Sequence, residues 1–225
     1  MAVALTQFLG QIQLECVGVL QPVALHALRR TLQTLCQMSL VWQKDLAAFS
    51  LSDGIATYDL NSQVGSDSQI VQIVERPKVT RPDATEYFID RKTRNMLERE
   101  SSTWQTNTSD TLTGIHVVSF NTVRVYPKPN ADAAASTVAV RVVLEPNDTA
   151  SSVDDIFYND GLLRQAVEDG TVSKLMLQPK KDWSNDMVGM LRAREFRRAI
   201  TQAFNKQAKQ ATGADLMVQP VSFGK

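Results

Sequence analysis

Histidine and cysteine are scarce in this 225-residue chain, with two of each. A protein metal centre gathers three or four ligands at one point. His26, His116, Cys16 and Cys36 are spread along the sequence without a C-x-x-C pair or a histidine cluster, an inventory that argues against a metal site. No cofactor-binding pattern accompanies it, and the expectation is no cofactor. Cys16 and Cys36 read as small buried apolar residues of a reducing compartment. Net charge is missing too: Lys+Arg and Asp+Glu both number 24, so nothing draws the whole molecule toward nucleic acid or a membrane. No run is long and apolar enough to span a bilayer. The opening stretch MAVALTQFLGQIQLECVGVL lacks a cationic start and a small-residue cleavage site, which reads as a protein that is made and kept in the cytoplasm or leaves it by cell lysis. Absent also are G-x-S-x-G, G-x-x-x-x-G-K-[ST] and H-E-x-x-H, so no motif nominates a catalytic residue and the chain is expected not to be an enzyme.

What is present is a clear alternation of periods. Leu5, Phe8, Leu9 and Ile12 suggest a short helix over residues 4–13, closed off around Gly18. Pro22 is suited to a first helical turn, and Ala24, Leu25, Leu28, Leu32, Leu35 and Cys36 recur at three- and four-residue spacing. Past Trp42 the pattern becomes that of strands: AAFSLSDGIATYDL, SQIVQIVERPKV, TEYFID, a hairpin in GIHVVSFNTVRVYPKP, and STVAVRVVLEP with Val138, Val140, Val142 and Leu144 on one face. A charged stretch at residues 91–114 interrupts them, with a short helical segment and no assigned role. Helix returns after Asn159 or Asp160, either of which can cap it. Gly170 would cost about 1 kcal/mol inside that helix, and a close approach of another helix is the natural reason for it.

LQPKKDWSND, residues 177–186, stands between two helical stretches. Pro179 stops the first, because the residue before a proline is pushed out of helical geometry. Ser184 or Asn185 caps the second, with Asp186 in its first turn. Trp183 is expected to pack back on the helix pair and fasten the corner. Ala193, Phe196, Ile200, Ala203 and Phe204 form the inner stripe of the last helix, which Gly213 ends.

The succession PVALHALRRTLQTLCQMSLVWQKDL, LSDGIATYDL, VRVYPKPNADAAASTVAVRVVLEPNDTASSVDDIFYNDGLLRQAV and KLMLQPKKDWSND, leading into a basic final helix, resembles the head-to-tail adaptor (head-completion or connector) proteins of tailed bacteriophages. The resemblance lies in the order and intervals of these segments over most of residues 14–210, and no single segment is diagnostic. It implies an α+β fold, a helical bundle built from the N- and C-terminal segments (1–45 and 147–212) with a central β-rich insertion (46–146). It implies a virion neck protein, assembled in the host cytoplasm, that forms a ring of about twelve copies. Such a ring lies between the portal protein and the tail tube, nozzle or tail-completion protein, without a membrane. Genomic DNA passes through it without sequence-specific contact. Residues 213–225 would form an extended arm that docks on the portal through Leu216, Met217, Val218, Val221 and Phe223. The charged stretch at 91–114 has no clear counterpart in the family pattern.

Charge is unevenly distributed. Residues 145–170 are acidic and 174–210 basic. Solvated faces and pairing between neighbouring helices account for such a pattern at under about 1 kcal/mol per exposed pair. A head-to-tail ring also needs two different complementary patches on each subunit, for which Asp154 and Asp155 and Arg194, Arg197 and Arg198 are candidates. The basic last helix could grip phosphates, but no helix-turn-helix spacing or aromatic platform accompanies it. The alternative function is a peptidoglycan-degrading tail accessory protein using paired carboxylates in SSVDDIFYNDG, although acids just ahead of a helix commonly serve as caps and dipole partners.

Overall fold

The computed structural model describes residues 2–212, and the architecture is mixed α+β with several sheets. The helices are α1 Leu9–Glu15, α2 Gln21–Ser39, α3 Asn61–Val64, α4 Arg94–Glu100, α5 Ile156–Asn159, α6 Gly161–Met176 and α7 Asp186–Thr212. A 3-10 turn, Leu5–Phe8, precedes α1. Local chemistry explains the boundaries of the long ones. Pro22 lies in the first turn of α2, and the helix ends where Leu40 turns left-handed at φ 55° with its N–H on the Cys36 carbonyl. Asp160 caps α6, its carboxylate accepting from the amides of Leu162 at 3.0 Å and Leu163 at 3.2 Å. Asn185 caps α7 by accepting from Val188 N–H at 3.1 Å.

The strands in chain order are β1 Ala2–Ala4, β2 Gln43–Asp45, β3 Phe49–Ser50, β4 Thr57–Asp59, β5 Ser68–Ile73, β6 Lys78–Thr80 and β7 Glu86–Phe88. They continue with β8 Asp90–Arg91, β9 Thr108–Ser109, β10 Gly114–Ser119, β11 Thr122–Tyr126, β12 Lys128–Pro129, β13 Thr137–Ala139, β14 Arg141–Pro146 and β15 Ser152–Asp154. Two four-stranded sheets have the orders β4-β11-β10-β8 and β3-β13-β6-β7, and a three-stranded sheet has β14 between β2 and β5. The expected hairpin is β10 and β11, antiparallel with a register shift between Val117 and Ser119.

Two expectations need correction. The run STVAVRVVLEP is not one strand: it breaks at Val140 into β13 and β14, which belong to different sheets. Alternation conceals the break because Val138, Val140, Val142 and Leu144 are all buried on either side of it. The two strands expected around the Ser52-Asp53-Gly54 turn are present as β3 and β4, and they go to separate sheets, β3 to β13 and β4 to β11. Phe204 is not a core residue but 44% exposed. The inner stripe of α7 runs through Phe196, Ala199, Ile200 and Ala203, and Phe204 lies one position beyond its edge.

Helices α2, α6 and α7 pack on one another, with α6 touching both of the others. One apolar cluster continues from Leu28, Leu32 and Phe196 through Val142 and Leu144 to Ile70, Ile115 and Val123. A small second cluster, Leu97, Trp104 and Tyr126, ties α4 to β11. Between α2 and β14 a polar link adds to the apolar one. Buried Glu145 accepts from the side-chain amides of Gln37 and Gln69, each at 2.7 Å. Gln33 donates to the Pro146 carbonyl at 3.0 Å. Two amides satisfying one buried carboxylate give a directional junction that fixes how α2 sits on the strand.

Asp67 fastens the start of β15. One carboxylate oxygen accepts from the hydroxyl and amide of Ser152, at 2.6 and 2.9 Å, and from those of Ser151, at 2.9 and 3.2 Å. The Ser152 hydroxyl foremost, joined by the other three donors against the opposing effect of burial, holds the carboxyl below its ordinary 3.8. A folded-state pKa below the unfolded one means that the stabilisation is present above 3.8 and is lost as pH falls through the folded value. Thermal melts of Asp67→Asn should therefore lie below wild type at neutral pH and converge with it in acid. A constant gap across that range would refute the ionic origin of the effect.

Candidate interaction surface

The corner at 177–185 is closed by its own hydrogen bonds. Asn185 N–H reaches back to the Met176 carbonyl at 3.0 Å, Ser184 N–H to that of Lys181 at 2.9 Å, and the Ser184 hydroxyl donates to the Gln178 carbonyl. Lys180 takes the left-handed conformation at φ 61° directly after Pro179. Gly189 in α7 passes so close to α6 that a Cβ there would lie 2.9 Å from the Leu177 side chain. Punctuation by Pro179 and Asn185 thus folds α7 back along α6, as the sequence implies.

Trp183 does pack against the main apolar cluster, but it is only half-buried, and its indole N–H is enclosed without a hydrogen-bond partner. One face borders a cleft of about 230 Å³ shared with Glu15, Val17 and Met176. Full truncation of a buried tryptophan costs about 3–5 kcal/mol. A half-buried ring with an unsatisfied donor is worth less, and Trp183→Ala should cost about 2 kcal/mol in denaturant unfolding. A loss under about 0.5 kcal/mol would remove Trp183 as the fastening of the corner.

Around this corner lies a surface that the sequence did not disclose. Met187, Met190 and Leu191, in the first turns of α7, are 83%, 65% and 57% exposed, and Leu14 and Val17 at the end of α1 are 74% and 73% exposed. The two elements are side by side there, because Arg192 of α7 pairs with Glu15 of α1 at 2.8 Å. The signal was available: these five fall outside the apolar stripes that explain α1 and α7, yet none is polar. Further along the outer side of α7, at helical spacing from Met190 and Leu191, come the exposed Arg194, Arg197 and Arg198. Arg197 donates to its own helix at the Ala193 carbonyl, 3.3 Å, and Arg198 approaches Glu195 at 4.0 Å.

The acidic candidates sit elsewhere. Asp154 ends β15 and accepts from Ile156 N–H at 3.1 Å, while Asp155 is the half-buried residue at the head of α5. The structure does not bring either to the arginines of the same chain. Most of the neighbouring acids are committed internally: Asp160 to Lys206 at 3.1 Å, Glu168 to Arg164 at 3.1 Å, Asp169 to Arg192 at 2.6 Å and Asp148 to Arg30 at 3.8 Å. Pairing within the chain therefore absorbs much of the charge asymmetry and leaves the outer arginines of α7 directed at solvent.

Leu216, Met217, Val218, Val221 and Phe223, the proposed portal-binding residues, lie outside the described residues, as does Gly213. Among the described residues no group of three His, Cys, Asp or Glu is placed to hold a metal ion, and no helix is long and apolar enough to cross a membrane. Cys16 and Cys36 are free and buried, and burial pushes the Cys16 thiol up to about 11. No family model matches the chain, and no curated protein matches it.

Proposed function

We propose that this chain is a subunit of a head-to-tail adaptor ring in the neck of a tailed bacteriophage, a structural virion protein without a catalytic step. The observation that carries this reading is the two-part outer strip of α7, apolar at Met187, Met190 and Leu191 and basic at Arg194, Arg197 and Arg198. Large apolar side chains grouped on a surface mark an interaction site. In a closed ring each subunit presents two different patches, one to each neighbour. The apolar part of the strip would be covered by the adjacent subunit, and the basic part would meet its Asp154 and Asp155, which sets register more than affinity.

The mutual packing of α2, α6 and α7 supports a helical bundle made from residues 1–45 and 147–212, with residues 46–146 as a β-rich insertion. Because the insertion shares its apolar cluster with the helices, such a subunit would tile a ring as one stiff wedge. Residues 213–225 would grip the portal, and the complete ring of about twelve copies would offer the tail tube, nozzle or tail-completion protein a surface that no single subunit has. DNA would pass through the channel without sequence-specific contact.

Mixing the purified chain with portal rings of the same phage tests this directly. Negative-stain images should show an added ring, and the doubly substituted Met190→Asp/Leu191→Asp chain, unchanged in melting temperature, should fail to add. Equal assembly by both chains would overturn the assigned surface. Absence of the chain from the necks of purified virions would overturn the function.

A further inference from the structure

The charged stretch beginning at Arg91 builds one wall of a cleft of about 480 Å³ between two sheets. Its other walls are β5, through Val71 and Ile73, and β10, through Ile115, His116 and Val117. Both β5 and β8 are outer strands of their sheets, so the cleft runs between two sheet edges. Three of the four consecutive side chains Arg91, Lys92, Thr93 and Arg94 are cationic, and no carboxylate is among the lining residues. Arg91 bridges the walls by donating to the Ile73 carbonyl at 2.5 Å, a bond that leaves its charge uncompensated. Lys92 is turned away to Glu100 at 2.5 Å and the Tyr126 ring at 5.4 Å. Arg94, 72% exposed, meets Glu98 at 2.7 Å, an exposed pair that a ligand can displace at little cost. Behind His116 stands Trp104, with the Arg124 guanidinium over its ring at 4.8 Å. Burial first, then the charges of Arg124 and Arg94, lowers the His116 pKa.

We infer that this cleft binds a phosphate ester of about mononucleotide size, its phosphate on Arg91 and Arg94 and its organic body against Val71 and Val117. Two guanidinium groups suit a tetrahedral oxyanion, since each offers a planar fork of donors. The volume falls within the usual range for small-ligand sites, about 300–1,000 Å³. A nucleic-acid strand is the poorer fit, because strands are held by successive aromatic platforms and the cleft lining has no Phe, Tyr or Trp and a single imidazole, His116. The inference stands apart from the neck assignment, since it concerns the isolated subunit.

Titration calorimetry on the full chain, with AMP as the probe, tests it. AMP should saturate with a Kd below about 1 mM at low salt. Adenosine and inorganic phosphate should each bind at least about tenfold more weakly, and added salt should weaken AMP severalfold. Arg94→Gln should lower the affinity about fivefold with no change in melting temperature, since its side chain is mainly solvated. Arg91→Gln should do the same with a small drop in stability. Adenosine equal to AMP would end the phosphate assignment, and inorganic phosphate equal to AMP would end the assignment of the organic body. Unaltered AMP binding by Arg94→Gln, no saturation by about 10 mM, or a short oligothymidylate binding more tightly than AMP would each overturn the proposal.

Discussion

Replacing Gly170 by valine should destabilise the protein by about 3 kcal/mol, and replacing it by alanine by about 1–2 kcal/mol, in equilibrium denaturant unfolding. The direction is opposite to that of helix propensity, by which Gly→Ala inside a helix gains about 1 kcal/mol. Packing must therefore outweigh propensity. A Cβ on Gly170 would stand 2.6 Å from the γ-methyl of Thr31 in α2 and 2.9 Å from two ring carbons of Phe196 in α7. Neither neighbour gives way easily. The hydroxyl of Thr31 donates to the Ala27 carbonyl at 2.9 Å, which fixes its rotamer and points the methyl at α6. Phe196 is buried at 7% exposure inside the inner stripe of α7. The double variant Gly170→Ala/Thr31→Ala isolates the cause: Thr31→Ala should destabilise the wild type yet stabilise the alanine background, a coupling of about 1 kcal/mol or more. If Gly170→Ala alone came out more stable than wild type, the three helices would not meet at this glycine.

Gly170 was legible in the sequence because a costly residue in a helix interior demands a tertiary reason, and the close approach supplies it. Pro22, Asp160, Pro179 and Asn185 were legible for a related reason: each acts on backbone groups within three or four residues of itself, so its effect is local. The β10–β11 hairpin belongs to the same class. What escaped is what distance in sequence conceals. The break between β13 and β14 at Val140 leaves no trace in the alternation, since buried strands need not change composition on moving from one sheet to another. Met187, Met190 and Leu191 follow a well-formed cap, which directs attention to the start of α7 and away from its outer side. The cleft at Arg91 depends on β5, through Val71 and Ile73, and on β10, two walls that only the sheet topology brings together. Most of the acid–base pairing was likewise foreseeable only as a possibility, because Arg192 finds one partner 23 residues away and the other 177 residues away.

That pairing yields the largest electrostatic effect expected in the molecule. Asp169 in α6 is 4% exposed, and Arg192 of α7 meets its carboxylate at 2.6 Å while also holding Glu15 of α1 at 2.8 Å. One guanidinium thus joins three helices. Arg192→Met preserves most of the aliphatic stem but leaves a buried carboxylate without its counter-charge, which should cost about 3–5 kcal/mol at neutral pH. Replacing both partners, Asp169→Leu with Arg192→Met, should recover most of the loss, because an apolar pair of similar volume escapes the desolvation of two ions. The pH dependence identifies the origin. Burial raises the Asp169 carboxyl above its ordinary 3.8 even against the pull of Arg192. A folded-state pKa above the unfolded one means that the folded protein holds the proton more tightly, so the associated stability is complete below 3.8 and is lost as pH rises through the folded value. Without Arg192 that folded value must climb further. The deficit of Arg192→Met relative to wild type should therefore be small near pH about 4 and widen toward pH about 7. An equal deficit at both would mean that Arg192 contributes by packing its stem, with the charge on Asp169 already satisfied by other groups.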